Sequence, residues 1–199
     1  LSPTTADHVL RDLAGRIELV LDSGPTPGGI ESTVLDVTAS PPLILRPGPI
    51  APRELHAVVG EVRVLERATQ SGRLGEQPGE LPGEPMRSPG LLSRHYAPRA
   101  RLELVPPGDP ARLRELIAGG SKVGWLGFGA GGPAAIEIRE ADRITRVTLP
   151  ACAAEYAARL YAALHALDAG GVDVILVERP PEGEEWLAVR DRLQRAAAP

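Results

Sequence analysis

The side chains best suited to chemistry lie in two short stretches, each where a predicted strand meets a loop. Ser32 and Thr33 open an apolar, β-branched run, and Arg46 ends the next run, followed by Pro47 and Gly48. Hydroxyl groups beside a guanidinium group, with a glycine that permits close backbone approach, suit a carboxylate, carbonate or phosphate ligand. None of these groups is a general base. The pattern therefore indicates anion binding.

A second group of candidate residues, His95 and Tyr96, follows a segment rich in glycine and proline. Residues 71–90 contain five glycines and four prolines without apolar periodicity, which is typical of a linker or a long loop. On residue chemistry alone, simpler alternatives rank ahead of ligand binding. These are a serine turn at Ser32, a surface ion pair at Arg46 and an interdomain plug at Tyr96.

Length and composition limit the classes to which the protein can belong. A chain of 199 residues forms one large domain or two small ones. The net charge of -4 gives no overall basic field for nucleic acid or anionic lipid, although a local basic patch stays open. The sequence contains no run of roughly 18 apolar residues, so no membrane span is predicted. The single cysteine, Cys152, excludes an intrachain disulfide, and we interpret it as a small buried residue of a cytoplasmic protein.

The first third of the chain is predicted to alternate helices and strands. We expect His8, in the first helix, to be solvated. The predicted elements are a helix over 2–15 capped by Thr4, strands over 17–22, 32–38 and 42–46, a helix over 52–60 and a strand over 62–65.

A second α/β rhythm follows the linker and predicts a small, open, mainly parallel sheet of Rossmann-like type. Predicted strands cover 101–105, 122–128, 135–140, 143–149 and 172–178, and predicted helices cover 109–119, 151–169 and 186–198. No G-x-G-x-x-G with a following ribose-binding acid is present, and we predict no dinucleotide site. No histidine pair has metal-ligand spacing, so we name no metal ligands.

Several motifs, taken together, resemble those of one enzyme family. The blocks SPTTADHVL, LDSGPTPGGIESTVLDVT and ILRPGPI resemble the C-terminal portion of the YrdC-like domain of threonylcarbamoyl-AMP synthases. SPGLLSRHYAP resembles the linker of their two-domain form, and YAALHALDAGGVDVILVE with DRLQRAA is similar to their Rossmann-like domain. The resemblance implies a partial YrdC-like α/β catalytic domain over 1–67, a linker over 68–100 and an accessory domain over 101–199.

The resemblance also implies a reaction. Threonylcarbamoyl-AMP synthases condense L-threonine, bicarbonate and ATP, release pyrophosphate with the help of magnesium, and supply the machinery that modifies tRNA with threonylcarbamoyladenosine. Ser32, Thr33, Arg46 and Gly48 would line the substrate and ATP site, and His95 and Tyr96 would contact it from the linker. Direct tRNA binding is left open by the resemblance.

One departure from the family limits this expectation. The basic cluster and the Ser-x-Asn motif of the family belong before SPTT and have no counterpart here. The catalytic residues stay unassigned, the chain reads as the C-terminal part of a longer enzyme, and we expect it to be inactive alone. The alternative is a non-catalytic YrdC-like module that binds RNA or a nucleotide, against which the acidic pI argues weakly.

Overall fold

The computed structural model describes residues 1–65, 96–129 and 141–198. Within these ranges the strands form a three-stranded sheet and a four-stranded sheet. We refer to residues 1–65 as the N-terminal region and to residues 96–198 as the C-terminal region. None of the described helices is long and apolar enough to cross a membrane.

Helix α1 spans Ala6–Leu13, shorter than the predicted helix. Its cap is Thr5, whose hydroxyl accepts a hydrogen bond from the His8 backbone at 3.3 Å. The prediction of Thr4 as the cap was wrong, because Thr4 is buried and its backbone N–H donates to the His8 ring at 3.2 Å. The prediction of a solvated His8 was also wrong, since that side chain is only 9% exposed.

The strand predicted over 17–22 does not form. Residues 18–22 lie in no strand, and the side chains of Leu19 and Leu21 are 75% and 88% exposed. An isolated strand leaves its backbone hydrogen-bonding groups unpaired, so it requires a neighbour. Among the described residues only an isolated bridge between Ala14 and Ile17 touches this stretch.

The three-stranded sheet is built from β1 (Val34–Asp36), β2 (Leu43–Arg46) and β3 (Arg63–Val64). Strand β2 lies in the middle, antiparallel to β1 and parallel to β3. Helix α2 (Pro52–Val59) makes the crossover between β2 and β3. The strands and the helix predicted over 32–65 are thus confirmed, with shorter strands.

The C-terminal region contains a parallel sheet, as predicted. Its order is β4-β7-β5-β6, and every neighbouring pair is parallel. The elements are β4 (Arg101–Val105), α3 (Ala111–Ala118), β5 (Val123–Phe128), β6 (Ile144–Leu149), α4 (Ala153–Ala169), β7 (Val174–Glu178) and α5 (Leu187–Ala196). The predicted strand over 135–140 and most of the predicted linker lie outside the described residues.

Alternating side chains of the parallel strands bury both faces of this sheet. One face packs against α3 through a cluster that contains Leu113, Trp125 and Leu176. The other face packs against α4 and α5 through a larger cluster that contains Leu160 and Ile175. The near-continuous apolar strands of the sequence are explained by this two-sided burial.

The prediction of a buried Cys152 was wrong. This residue occupies the cap position before α4 and its side chain is exposed. Because α4 begins one residue later, at Ala153, Cys152 lies outside the packed face of the helix.

The two regions touch at several places. His8 of α1 stacks on His165 of α4, with ring centroids 3.7 Å apart. Gly29, at φ +68°, lies so close to α4 that a Cβ there would overlap the backbone of Ala157. Glu31 forms a salt bridge with Arg192 of α5 at 2.7 Å. The loop that leads to β1 is therefore seated on the helices of the C-terminal region.

Candidate functional site

Arg46, at the end of β2, is held against the start of β1. Its Nε and Nη2 atoms donate to the carbonyl oxygen of Ser32 at 3.1 and 3.0 Å. Arg46 is only 8% exposed, so the alternative of a surface ion pair does not apply. The antiparallel pairing of β1 and β2 makes this contact, because it places Val34 opposite Arg46.

Thr33 and Gly48 hold the Ser32–Thr33 peptide from the other side. We refer to Ser32, Thr33, Arg46 and Gly48 as the corner. The Thr33 hydroxyl donates to the carbonyl of Ile50 at 3.0 Å and accepts from its N–H at 3.1 Å. At Gly48 a side chain would overlap the backbone nitrogen of Thr33 and would lie 2.6 Å from the carbonyl carbon of Ser32. The loop after β2 can therefore lie against the Ser32–Thr33 peptide only with glycine at this position.

Ser32 differs from its neighbours because its side chain is exposed. In the described part of the chain no hydrogen bond engages its hydroxyl group, and the serine-turn alternative is not observed there. A hydroxyl group on an anchored backbone, beside a buried guanidinium group, can donate a hydrogen bond to an anionic ligand.

Tyr96 lies near this corner and has the left-handed φ of +56°. Its ring packs edge-on against Tyr161 of α4, with centroids 5.7 Å apart. Burial raises the pKa of Tyr96, and the negative charge of Glu31 raises it further, while Arg46 acts in the opposite direction. Tyr96 is therefore close to both groups. His95 lies outside the described residues.

A cavity of about 310 Å³ lies between the loop after β2, the start of α2 and helices α4 and α5. Of the predicted site residues that the structure describes, Gly48 alone lines it. Glu54 and Glu184 contribute carboxylates to its lining, and each accepts a hydrogen bond from a backbone N–H at the start of α2. Acidic groups disfavour a phosphate ligand, so the cavity is less suited to an anion than the corner at Ser32.

Sequence reasoning missed Glu31 and Arg192. Burial acts to raise the pKa of Glu31, but the hydrogen bonds from Arg192 and Ser2 and the positive charge of Arg192 together outweigh it, and the pKa lies below its ordinary value. The Arg192 side chain is 1% exposed and also contacts Asp191 at 2.7 Å. Arg195 lies four residues after Asp191 and pairs with it at 2.9 Å. This helical spacing was the available signal, but it did not point to Glu31, which lies 161 positions away.

The same corner lies where two family models meet along the chain. A model described as the threonylcarbamoyl-AMP synthase C-terminal domain matches residues 50–198. A second model, described as telomere recombination, matches residues 1–48. The chain belongs to the threonylcarbamoyl-AMP synthase family. The family inferred from the motifs is thereby confirmed.

Individual relatives agree with this assignment. The chain is 38% identical to the threonylcarbamoyl-AMP synthase of Pyrococcus abyssi, over 98% of this chain and 54% of the relative. It is 37% identical to the synthase of Bacillus subtilis, over 98% of this chain and 53% of that relative. The chain therefore spans about half the length of the curated relatives it matches.

A solved structure also resembles the chain along nearly its whole length. The crystal structure of P. abyssi Sua5 complexed with L-threonine matches with a TM-score of 0.74 and 37% identity. The match covers 98% of this chain and 54% of that chain. The mixed α/β architecture is therefore that of a synthase of this family.

Proposed function

We propose that this chain serves the formation of threonylcarbamoyl-AMP from L-threonine, bicarbonate and ATP, with release of pyrophosphate. The observation that carries the proposal is the anchored corner, where Arg46 holds the Ser32 carbonyl while the Ser32 hydroxyl stays exposed. The product would feed the machinery that places threonylcarbamoyladenosine in tRNA, and we propose the cytoplasm as its site. Direct tRNA contact is no part of the proposal.

The proposed roles follow from the chemistry of the groups. Adenylation of a carboxylate-like group requires that anions be positioned and that charge on the α-phosphate be stabilised. The Ser32 hydroxyl would donate a hydrogen bond to threonine or ATP, and the positive charge of Arg46 would favour the anion nearby. Thr33 and Gly48 would act through the backbone, since their contacts fix the Ser32–Thr33 peptide. Tyr96 and His95 would approach from the linker.

Magnesium is implied by the family, but the described residues do not provide a site for it. No group of three or more histidine, cysteine, aspartate or glutamate side chains in the described ranges could hold a metal ion. We therefore assign no step to a metal bound by these residues, and we treat ATP as a substrate.

We also propose the domain division given by the motifs. Residues 1–67 would be part of the YrdC-like catalytic domain, residues 68–100 the linker and residues 101–199 a Rossmann-like accessory domain. The all-parallel sheet with helices on both faces supports the last of these. The family models divide the chain earlier, between residues 48 and 50.

Pyrophosphate release tests the reaction. The chain extended to the length of its relatives should release pyrophosphate from ATP only when threonine and bicarbonate are both present, and the 199-residue chain alone should release almost none. Release that ignores threonine would contradict the proposal. Retention of an RNA oligomer at physiological salt without threonine-dependent release would instead favour the non-catalytic module.

Substitution of the corner tests the roles. Arg46→Ala should weaken threonine or ATP binding by ~1.5–3 kcal/mol, the range for a hydrogen bond to a charged group. Ser32→Ala should raise the KM for one of these substrates while leaving the melting temperature unchanged, since no described residue bonds this hydroxyl. Ser23→Ala, at another exposed serine, is the matched control and should change neither quantity. Equal kinetics for the two serine variants would remove Ser32 from the site.

A further inference from the structure

The hydrogen bonds that hold the candidate site in place extend to helix α5. Arg192 donates from Nε to the Glu31 carboxylate at 2.7 Å and from Nη2 to the Glu31 carbonyl at 3.3 Å. The next carbonyl, that of Ser32, accepts the two hydrogen bonds from Arg46. Two arginines from distant parts of the chain therefore hold consecutive peptide carbonyls, immediately beside the exposed Ser32 hydroxyl.

The guanidinium group of Arg192 is itself fixed in place. Its Nη1 donates to Asp191 at 2.7 Å, and Asp191 receives two further hydrogen bonds from Arg195, at 2.9 and 3.0 Å. Arg192 is 2% exposed, and Asp191 and Arg195 are also buried. Three donors of one planar group thus engage three different acceptor atoms, which the single ammonium group of lysine cannot reproduce in the same geometry.

Stability alone is a weak reason for such a network. Removing charges from water costs several kcal/mol per ion, and a buried ion pair often stabilises a fold no better than apolar residues of similar volume. What the network does supply is a fixed position for Glu31, because carboxylate and carbonyl are both held. Glu31 directly precedes the residue whose hydroxyl the proposed reaction uses.

We propose that Arg192 is a positioning residue for the ligand site: from α5 it fixes Glu31, and through the Glu31–Ser32 peptide it sets the positions of the Ser32 hydroxyl and the Arg46 guanidinium group. This inference rests on the proposed function for its kinetic consequence only. The contact and its effect on the backbone stand independently of the reaction. The C-terminal region would thus contribute to the site without touching substrate.

Hydrogen–deuterium exchange of the 199-residue chain tests the backbone effect without reference to any reaction. Arg192→Gln should speed exchange in the segment 31–36 by about tenfold, the size expected when a hydrogen bond to a charged group is lost. Arg195→Gln is the matched control, because it disrupts the same buried network without contacting Glu31. It should change exchange in this segment much less. Equal exchange in the two variants would overturn the proposal.

A second pair of variants keeps the test decisive if Arg192→Gln does not fold. Arg192→Lys retains the positive charge but not the planar group with its three donors, and it should also speed exchange over residues 31–36. Glu31→Gln should give a similar increase, and the Arg192→Lys/Glu31→Gln double variant should add little to either single change, because both remove the same contact. Fully additive effects would mean that Arg192 acts elsewhere.

Kinetics of the chain extended to the length of its relatives test the consequence for the site. Arg192→Lys should raise the KM for threonine or ATP by about tenfold with a smaller change in kcat, whereas Arg195→Gln should leave the KM unchanged at a comparable loss of melting temperature. A KM that follows only the melting temperature in both variants would reduce Arg192 to a structural role. Absence of threonine-dependent pyrophosphate release in the unaltered protein would refute the proposed function. The hydrogen–deuterium exchange result would still test whether Arg192 fixes the backbone of residues 31–36.

Discussion

The two regions of the molecule differ in how they are stabilised. In the C-terminal region, strands of five or six residues pack between helices, and Leu126, Leu160 and Ile175 are 0% exposed. In the N-terminal region the strands have two to four residues, and Leu19 and Leu21 are largely exposed. The candidate site lies in the region with the smaller core. Its order must therefore come in part from outside that region.

The contacts between the regions supply this order. They include a stacked histidine pair, a glycine packed against a helix and a buried ion pair, which connect residues 1–31 with α4 or α5. The backbone N–H of Arg53, at the start of α2, also donates to Glu184. Short strands can thus form a candidate ligand site when a better-packed neighbouring region holds their loops. Three experiments test this view.

Separation of the two regions should have the largest effect. Residues 96–199 alone should keep a cooperative thermal transition, because both core clusters are formed mainly by residues of this range. Residues 1–65 alone should show none, since few of their apolar side chains are buried. Circular dichroism melts check both expectations. A cooperative transition of residues 1–65 would show that the N-terminal region needs no support.

Gly29→Ala should weaken the packing of the regions against each other. The new Cβ would overlap the backbone of α4, and the backbone of residue 29 would also be strained at φ +68°. Gly171 has the same φ and open space around it, so Gly171→Ala isolates the backbone strain. Chemical denaturation should show a loss of about 1–2 kcal/mol for Gly171→Ala and about 3 kcal/mol or more for Gly29→Ala. Equal losses would mean that the contact at Gly29 yields easily.

Acidification should loosen the histidine contact. Burial lowers the pKa of His8, with a further lowering by Arg11, against the opposing charges of Asp7 and Asp12. Burial also lowers the pKa of His165, and the neighbouring His8 and Arg11 lower it further, whereas its hydrogen bond to the Ser2 carbonyl raises it.

Because folding lowers the pKa of both histidines, the folded protein should lose stability in acid. Between the folded-state pKa and 6.5, the unfolded chain binds more protons than the folded one, so the stabilisation is complete above pH 6.5 and is lost as pH falls through the folded-state pKa. Denaturant unfolding at several pH values should show this loss. His8→Gln should reduce it, whereas His56→Gln, at an exposed histidine of α2, should leave it unchanged. The same pH dependence in both variants would assign it to other groups.

The sequence predicts the C-terminal region well because its signals are local. Strand β4 was predicted with its observed bounds, and the other described strands and the helices of this region to within a few residues, since apolar runs and helical stripes mark them. The N-terminal region is predicted less well. Leu10 and Leu13 of α1 are 46% and 37% exposed, whereas His8 of the same helix, expected to be solvated, is buried. Which face of a helix is covered depends on distant residues.

The candidate site was likewise predicted where its signals are local and missed where they are not. Ser32, Thr33, Arg46 and Gly48 were predicted together because strand ends and turn residues can be recognised from neighbouring letters, and the structure brings them together. Whether they bind ligand stays a prediction. The contact of Arg192 with this corner was missed, because a charged residue near the end of a helix is ordinarily solvated.

The strand order β4-β7-β5-β6 also bears on how the protein is made. Strand β7 lies between β4 and β5, although it is the last of the described strands to be synthesised. While the chain emerges from the ribosome, β4 and β5 cannot be joined through their common neighbour until residue 178 has appeared, and the partner of Glu31 follows only at residue 192. A messenger truncated before that point would yield a polypeptide with open strand edges, which are prone to aggregation. The sheet and the contact of Glu31 can therefore both form only after residue 192 has been synthesised.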